Sequence, residues 1–171
     1  MLAFLVVFAG VAIVMPLLVR WWGRSAFFVA AAVPAAAFVH TVLMAPRVID
    51  GGSVVESVPW IPQLDFSLTM RLDTLSWALA LVVTGVGALV LVYCTRYFRS
   101  DEQSLGRFAG VLLAFAGAMY GLVLADDVYL LFVLWEATSV LSYLLIGHST
   151  QRKTSRGAAL QALLVTTLGG L

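Results

Sequence analysis

The stretch Val128-Tyr129-Leu130-Leu131-Phe132-Val133-Leu134-Trp135-Glu136-Ala137-Thr138-Ser139-Val140-Leu141-Ser142-Tyr143-Leu144-Leu145-Ile146 decides how the chain is read. As a helix at about 1.5 Å per residue it is ~28 Å long, enough to cross a hydrocarbon core of about 30 Å. Asp126 and Asp127 precede it, Gly147 and His148 follow it, and its single charge, Glu136, falls near its middle. A charged side chain at that depth costs at least ~2.5–3.5 kcal/mol on insertion scales. Such a residue needs a partner or a purpose.

The rest of the chain agrees with a membrane reading. Of the 171 residues 62% are hydrophobic and 11% charged, with a mean hydropathy of +1.02. Soluble domains have about 45–50% apolar and about 25% charged residues. The composition predicts an all-α polytopic membrane protein with five complete transmembrane helices and the start of a sixth. The segments are expected at 1–19, 25–44, 74–97, 108–125 and 128–146, with the sixth beginning at Ala158. Pro16 and Pro34 are expected to kink the first two. Trp21 and Trp22 sit where an interfacial aromatic belt would lie.

Between the second and third segments, Pro46, Asp50, Glu56, Pro59, Pro62 and Asp65 interrupt any helix. Residues 65–73, Asp-Phe-Ser-Leu-Thr-Met-Arg-Leu-Asp, alternate polar and apolar at every step, the period of a half-buried strand. Residues 54–58 are the expected partner, giving a small extracytoplasmic β-hairpin on the helix ends. The resulting division is 1–44 (helices 1 and 2), 45–73 (loop and hairpin), 74–127 (helices 3 and 4) and 128–171 (helix 5 and part of helix 6).

Orientation follows from the basic residues. With the N-terminus outside, the inner loops hold Arg20, Arg24, Arg96, Arg99, Arg107, Arg152, Lys153 and Arg156, eight of the ten Lys and Arg residues. Arg47 and Arg71 fall outside, as do the hairpin and the Asp126-Asp127 turn. The first segment lacks a charged leader and a small-residue cleavage site, so it reads as a retained helix. The sixth is too short to cross by Leu171, so further helices are expected beyond it. Cys94, the only cysteine, cannot form an internal disulfide and reads as a small apolar filler. Nothing in the charge points to nucleic acid, and nucleotide loops, Cys/His metal spacings and Ser/His/Asp sets are absent.

Nine acids are present, and all but Glu136 fall in loops or at helix ends. At i+3 and i+7 from Glu136 stand Ser139 and Tyr143, with Gly147 one further turn away, a narrow polar stripe that could line a hydrated path. A carboxyl group balanced between desolvation and a nearby cation can exchange protons near neutral pH. The competing reading is a permanently neutral glutamate that packs between helices. No Lys or Arg inside a helix is available to pair with it, so the partner is expected outside these residues. His148 could pass protons to bulk solvent, or be an interfacial polar residue. His40 could lie on a proton route, or pack between helices. Asp73 reads as a helix cap, Arg71 as an interfacial anchor, and Asp126 with Asp127 as a solvated turn or a cation-attracting vestibule.

Residues 131–136, Leu-Phe-Val-Leu-Trp-Glu, followed by Ser142-Tyr143-Leu144-Leu145-Ile146-Gly147, resemble the signature of the antiporter-like subunits shared by Mrp-type cation/proton antiporters and respiratory complex I. Arg71-Leu72-Asp73-Thr74-Leu75-Ser76 and Tyr93-Cys94-Thr95-Arg96-Tyr97 are similar to the same family, so the likeness covers roughly residues 55–171. Arg156-Gly157-Ala158 and Thr166-Thr167-Leu168-Gly169-Gly170-Leu171 look like the A-subunit branch of the Mrp antiporters. The Asn-Arg-Val-Gly-Asp-like run usual in the large complex I subunit is missing.

The resemblance implies part of a sodium (or other monovalent cation)/proton antiporter in a bacterial inner membrane. It implies partner subunits in a hetero-oligomeric complex, transported H+ and Na+, and no cofactor or metal. Glu136 matches the family's key glutamate, whose lysine partner lies on a later, broken helix. The alternatives are a proton-pumping subunit of an NADH:quinone oxidoreductase and a structural scaffold bundle.

Overall fold

The computed structural model describes residues 1–61, 66–98, 104–148 and 153–170. In chain order it contains α1 (Leu2–Trp22), a 3-10 turn (Gly23–Ser25), α2 (Ala26–Leu43), α3 (Ala45–Ile49), β1 (Val54–Ile61), β2 (Phe66–Leu72), α4 (Thr74–Tyr97), α5 (Leu105–Leu124), α6 (Val128–Ile146) and α7 (Lys153–Gly170). Four helical stretches are long and apolar enough to cross a membrane: Leu2–Leu43, Thr74–Tyr97, Leu105–Leu124 and Val128–Ile146. The first is not one rod. Gly23 adopts φ +56° at the 3-10 turn, a left-handed conformation that glycine takes without strain. The chain folds back there, bringing the rings of Phe4 and His40 to 5.2 Å.

The helices run alternately up and down around α5, which packs against α1, α4 and α6; α2 lies on α4, and α7 on α6. Small residues set the closest approach. At Gly117 an added Cβ would stand 2.6 Å from the Cβ of Phe8, and at Gly110 it would stand 2.6 Å from the backbone oxygen of Ala12. Backbones that meet this closely gain dispersion contacts, the main attraction left when the solvent is as apolar as the side chains. Phe8, Met15, Leu113, Tyr120 and Leu124 fill the seam and are almost wholly buried. Pro16 and Pro34 sit inside continuous helix. The buried hydroxyls of Thr41 and Thr84 donate to their own helix at Ala37 O (2.8 Å) and Ala80 O (2.6 Å). Cys94 is a buried free thiol.

β1 and β2 form an antiparallel hairpin, with Val54 opposite Leu72 and Val58 opposite Leu68; the register shifts between Pro59 and Ile61. The alternation expected from the sequence holds, since Met70 and Leu72 are buried while Arg71 between them is exposed. The hairpin is latched to the helix ends. Arg71 donates from Nε and an Nη to the two carboxylate oxygens of Asp126, at 2.8 and 2.9 Å. The Asp126 N–H donates to Thr69 O at 3.0 Å, and Met70 bridges to Ala125. On the other strand, the Glu56 carboxylate pairs with the Met1 amino group and accepts the Leu2 N–H at 2.8 Å. The hydrogen bond from that amino group holds the Glu56 carboxyl below its usual range.

Several expectations are corrected here. Arg71 does not stand alone as an anchor, and Asp126 is engaged by it; Asp127 caps α6. Pro46 starts α3 instead of breaking the chain, because proline is tolerated in a first turn where its missing N–H has no helical partner. α5 starts at Leu105 and α7 at Lys153, earlier than expected. Arg20, Arg96, Arg107, Lys153 and Arg156 lie in terminal helical turns and not in loops. The placements of Pro62, Asp65, Arg99, Asp101, Glu102 and Arg152 fall outside the described residues.

Asp73 closes a reciprocal cap on α4: it accepts the Ser76 N–H at 2.8 Å, and Ser76 Oγ accepts the Asp73 N–H at 2.8 Å. The Ser76 backbone and side-chain hydrogen bonds hold the Asp73 carboxyl below its ordinary 3.8. Asp73→Ala should cost about 1 kcal/mol, read as a lowered thermal-unfolding midpoint in detergent. A depressed carboxylate contributes its stability fully above the unfolded pKa and loses it as pH falls through the folded one. Asp73→Asn should therefore keep the cap while losing less stability than wild type as pH drops below about 4.

Gly117→Ala should destabilise by about 1–3 kcal/mol, because Phe8 cannot withdraw without moving α1. Gly10→Ala, where nothing lies within 4 Å of the added Cβ, is the control and should leave the midpoint unchanged or slightly raised.

Candidate proton and ion site

α6 begins where Asp127 stops the turn before it. Its Oδ1 accepts the N–H groups of Tyr129 (2.8 Å) and Leu130 (3.1 Å), two of the donors a helix N-terminus leaves open. This cap fixes the register that puts Glu136 two turns deep. Among the described residues, the Oε1 of Glu136 is shielded from solvent and has no hydrogen-bond partner. A buried polar atom left in that condition is costly and asks for an explanation.

The hydroxyls nearest in sequence do not satisfy it. Thr138 Oγ1 donates to Trp135 O at 2.7 Å and Ser139 Oγ donates to the same oxygen at 3.2 Å. Ser139 is buried. It lines an open, mainly apolar groove of about 290 Å3 between α5, α6 and α7, shared by Phe115, Met119, Leu122 and Trp135 with the hydroxyl-bearing Thr138, Ser142 and Thr166. Trp135 closes one side: a Cβ at Gly170 would stand 2.8 Å from the indole Cδ1, so the ring sits against the α7 backbone.

Of the residues singled out in the sequence, Glu136, Ser139 and Tyr143 lie along α6, and His148 stands two residues past its end. Tyr143 O accepts the Gly147 N–H at 2.9 Å. Gly147 faces α7, where an added Cβ would lie 3.6 Å from the Ala159 Cβ. His148 packs on the rings of Phe108 (4.8 Å) and Phe98 (6.3 Å). It also lines a cleft of about 100 Å3 with Ser104 and Arg107. His40 does not join this run. It lies at the hairpin end against Phe4, whose ring also meets Tyr120 at 6.4 Å. The two histidines thus mark opposite ends of the bundle.

The sequence reading missed Thr138, Ser142 and Thr166. Thr138 and Ser142 were legible as hydroxyls at i+2 and i+6 from Glu136; Thr166 needed the packing of α7 on α6. Among the described residues no three His, Cys, Asp or Glu side chains gather as a metal cluster would require.

Known proteins bear on this geometry. Residues 60–109 match the family model described as NADH-Ubiquinone oxidoreductase (complex I), chain 5 N-terminus, and residues 125–171 match NADH:quinone oxidoreductase/Mrp antiporter, TM. The chain is 38% identical over 142 residues to the A/B subunit of a probable K(+)/H(+) antiporter of Rhizobium meliloti, covering 83% of this chain and 14% of that protein. It is 37% identical over 161 residues to the A subunit of the Na(+)/H(+) antiporter of Alkalihalophilus pseudofirmus, covering 93% of this chain and 20% of that protein. Its fold superposes on a chain of the Mrp complex from Dietzia sp. DQ12-45-1b with a TM-score of 0.86 at 37% identity, over 99% of this chain and 18% of that one. The chain thus spans a fifth or less of the length of these relatives. Its apolar helices and these matches together make it a multi-pass membrane protein. A helical bundle that superposes and a sequence that aligns across nearly all of it lead to one conclusion: the chain belongs to the antiporter-like membrane-subunit family that the Mrp antiporters share with complex I.

Proposed function

We propose that this chain is part of a monovalent cation/proton antiporter subunit, working with other subunits in a bacterial inner membrane, in which Glu136 carries the translocated proton or holds its ion pair. The observation that carries the reading is the shielded, unpartnered Oε1 of Glu136 in the middle of α6. Such an atom suits a group whose partner changes during a cycle: a proton, a water, or a cation from residues outside this chain. On this reading the hydroxyls of Thr138, Ser139, Ser142 and Thr166 would be polar stepping points for protons, with Tyr143 and His148 further along toward the basic end.

Under this reading five helices span the bilayer, α1 and α2 counting separately, and α7 is a sixth. Residues 1–44, 45–73, 74–127 and 128–171 then act as two peripheral helices, an outer hairpin, a central pair and the start of the translocating core. The N-terminus and hairpin face outward, because Arg20, Arg24, Arg96 and Arg107 gather at the opposite end. His40, at the outer end, would belong to an entry path separate from the Glu136 stripe. The membrane potential supplies about 2.3 kcal/mol per charge per 100 mV, comparable with the cost of holding a charge at mid-membrane. The relatives' names include both Na(+) and K(+), and sodium is the cation we assign first.

One observation favours a second reading: the family model over residues 60–109 takes its description from complex I. There the same glutamate would serve a pump driven by quinone chemistry elsewhere.

Everted membrane vesicles containing the intact complex separate the two. With a pH gradient imposed, added sodium should collapse it in wild type and fail to do so in Glu136→Gln, with at least about a tenfold loss of rate. A response to potassium instead of sodium would reassign the cation. Proton pumping that requires NADH and shows no cation response would replace the antiporter reading. Wild-type exchange in Glu136→Gln would make the glutamate a packing residue.

A further inference from the structure

Two cavities meet at Arg107. One is the cleft of about 100 Å3 holding Ser104, Arg107 and His148. The other is an open trough of about 340 Å3 between α1, α5 and α6, walled by Ala9, Ala12, Ile13, Gly110, Ala114 and Leu141, and it too ends at Arg107. From Ala9 to Pro16 the trough follows α1 for about 10 Å along the helix axis. Small side chains leave it empty, and its volume lies at the lower end of sites that bind small molecules, about 300–1,000 Å3. It is an open, apolar surface groove with a cation at one end.

The end of the bundle at the mouth is rich in arginine; Asp101 and Glu102 of the α4–α5 connection lie outside the described residues. Arg20, Arg24, Arg96 and Arg107 stand at this end of the bundle, and among the described residues every acid except Glu136 stands at the hairpin end. Among those residues no carboxylate pairs with Arg107. Trp21 and Trp22, exposed at the end of α1, mark the depth at which indoles meet headgroups.

We propose that this groove is a binding site for an anionic glycerophospholipid, its phosphate at Arg107 and the Ser104–His148 cleft and one acyl chain along the α1–α5 trough. The two halves of such a molecule match the two cavities in order, polar at the basic end and apolar toward the midplane. A protein helix laid in the trough would satisfy only the apolar half and would have to bring its own acid to Arg107. Basic pockets between membrane helices are the sites where lipid phosphates are held. The inference does not depend on which ion is transported.

The test uses the protein purified from its own membrane with the subunits that accompany it, delipidated in mild detergent and then offered phosphatidylglycerol, phosphatidylcholine, diacylglycerol or inorganic phosphate. Native mass spectrometry counts retained lipid, and a photoactivatable phosphatidylglycerol maps the contact. Wild type should retain phosphatidylglycerol and label α1 and α5 peptides around the trough. Arg107→Gln and Ala9→Trp should each lower retention about tenfold; Arg107→Lys should keep most of it, which separates lost charge from lost fold. Diacylglycerol should not bind, and inorganic phosphate should not displace the lipid. Equal retention in wild type and both variants, labelling confined to other surfaces because protein covers the trough, or displacement by inorganic phosphate alone would each overturn the proposal.

Discussion

In a hydrocarbon slab no water is available to the backbone, so each crossing segment must close its own hydrogen bonds and every other polar group must find a partner locally or sit at an end. The layout of this chain follows from that constraint. Thr41, Thr84 and Ser139 turn their hydroxyls back onto carbonyls of their own helices. Asp73 and Asp127 sit where helices start and absorb the open N–H groups there. With polar groups settled in this way, the helices are held together by fit. The glycines of α5 that admit Phe8 and the Ala12 carbonyl are where α1 comes closest. Among the described residues, the Oε1 of Glu136 is the buried side-chain polar atom left without a partner.

The two ends of the bundle are built differently. At one, the hairpin is fastened to α5 and α6 through Arg71, Asp126 and Met70, and to α1 through Glu56. Because Asp127 follows Asp126 directly, the latch and the α6 cap share one turn, and the helix carrying Glu136 is positioned from the hairpin side. At the other end Phe98 gathers Phe27, Phe108 and His148 around it, and Arg24 donates to its carbonyl at 3.2 Å. That end is aromatic and basic, as an interface with phosphate headgroups requires.

Much of this was legible in the residues. The limits of α4 and α6 follow from Asp73 and Asp127, because a carboxylate before an apolar run is a strong N-terminal stop. The hairpin followed from strict alternation around Met70. Helix ends that leave the apolar layer were harder to read. The polar residues at 153–156 continue α7, since hydropathy marks where a segment is apolar and not where its hydrogen bonding ends. α3 was hidden by Pro46, whose effect depends on its place in the turn. The Arg71–Asp126 pair joins residues 55 apart, and no local pattern announces it. The spacing of Glu136, Ser139 and Tyr143 on one face is plain from the sequence, whereas the groove shared by Ser139 and Thr166 exists only once α7 is packed.

Everything functional proposed for α6 rests on the Glu136 carboxyl changing its protonation or hydrogen-bond partner as ions cross. Infrared difference spectroscopy of the intact complex, recorded while a pH gradient is switched with and without sodium, reads that change through the carboxyl C=O band. A band that responds to both proton and cation and vanishes in Glu136→Gln is the expected result. A difference spectrum identical in wild type and Glu136→Gln would contradict it.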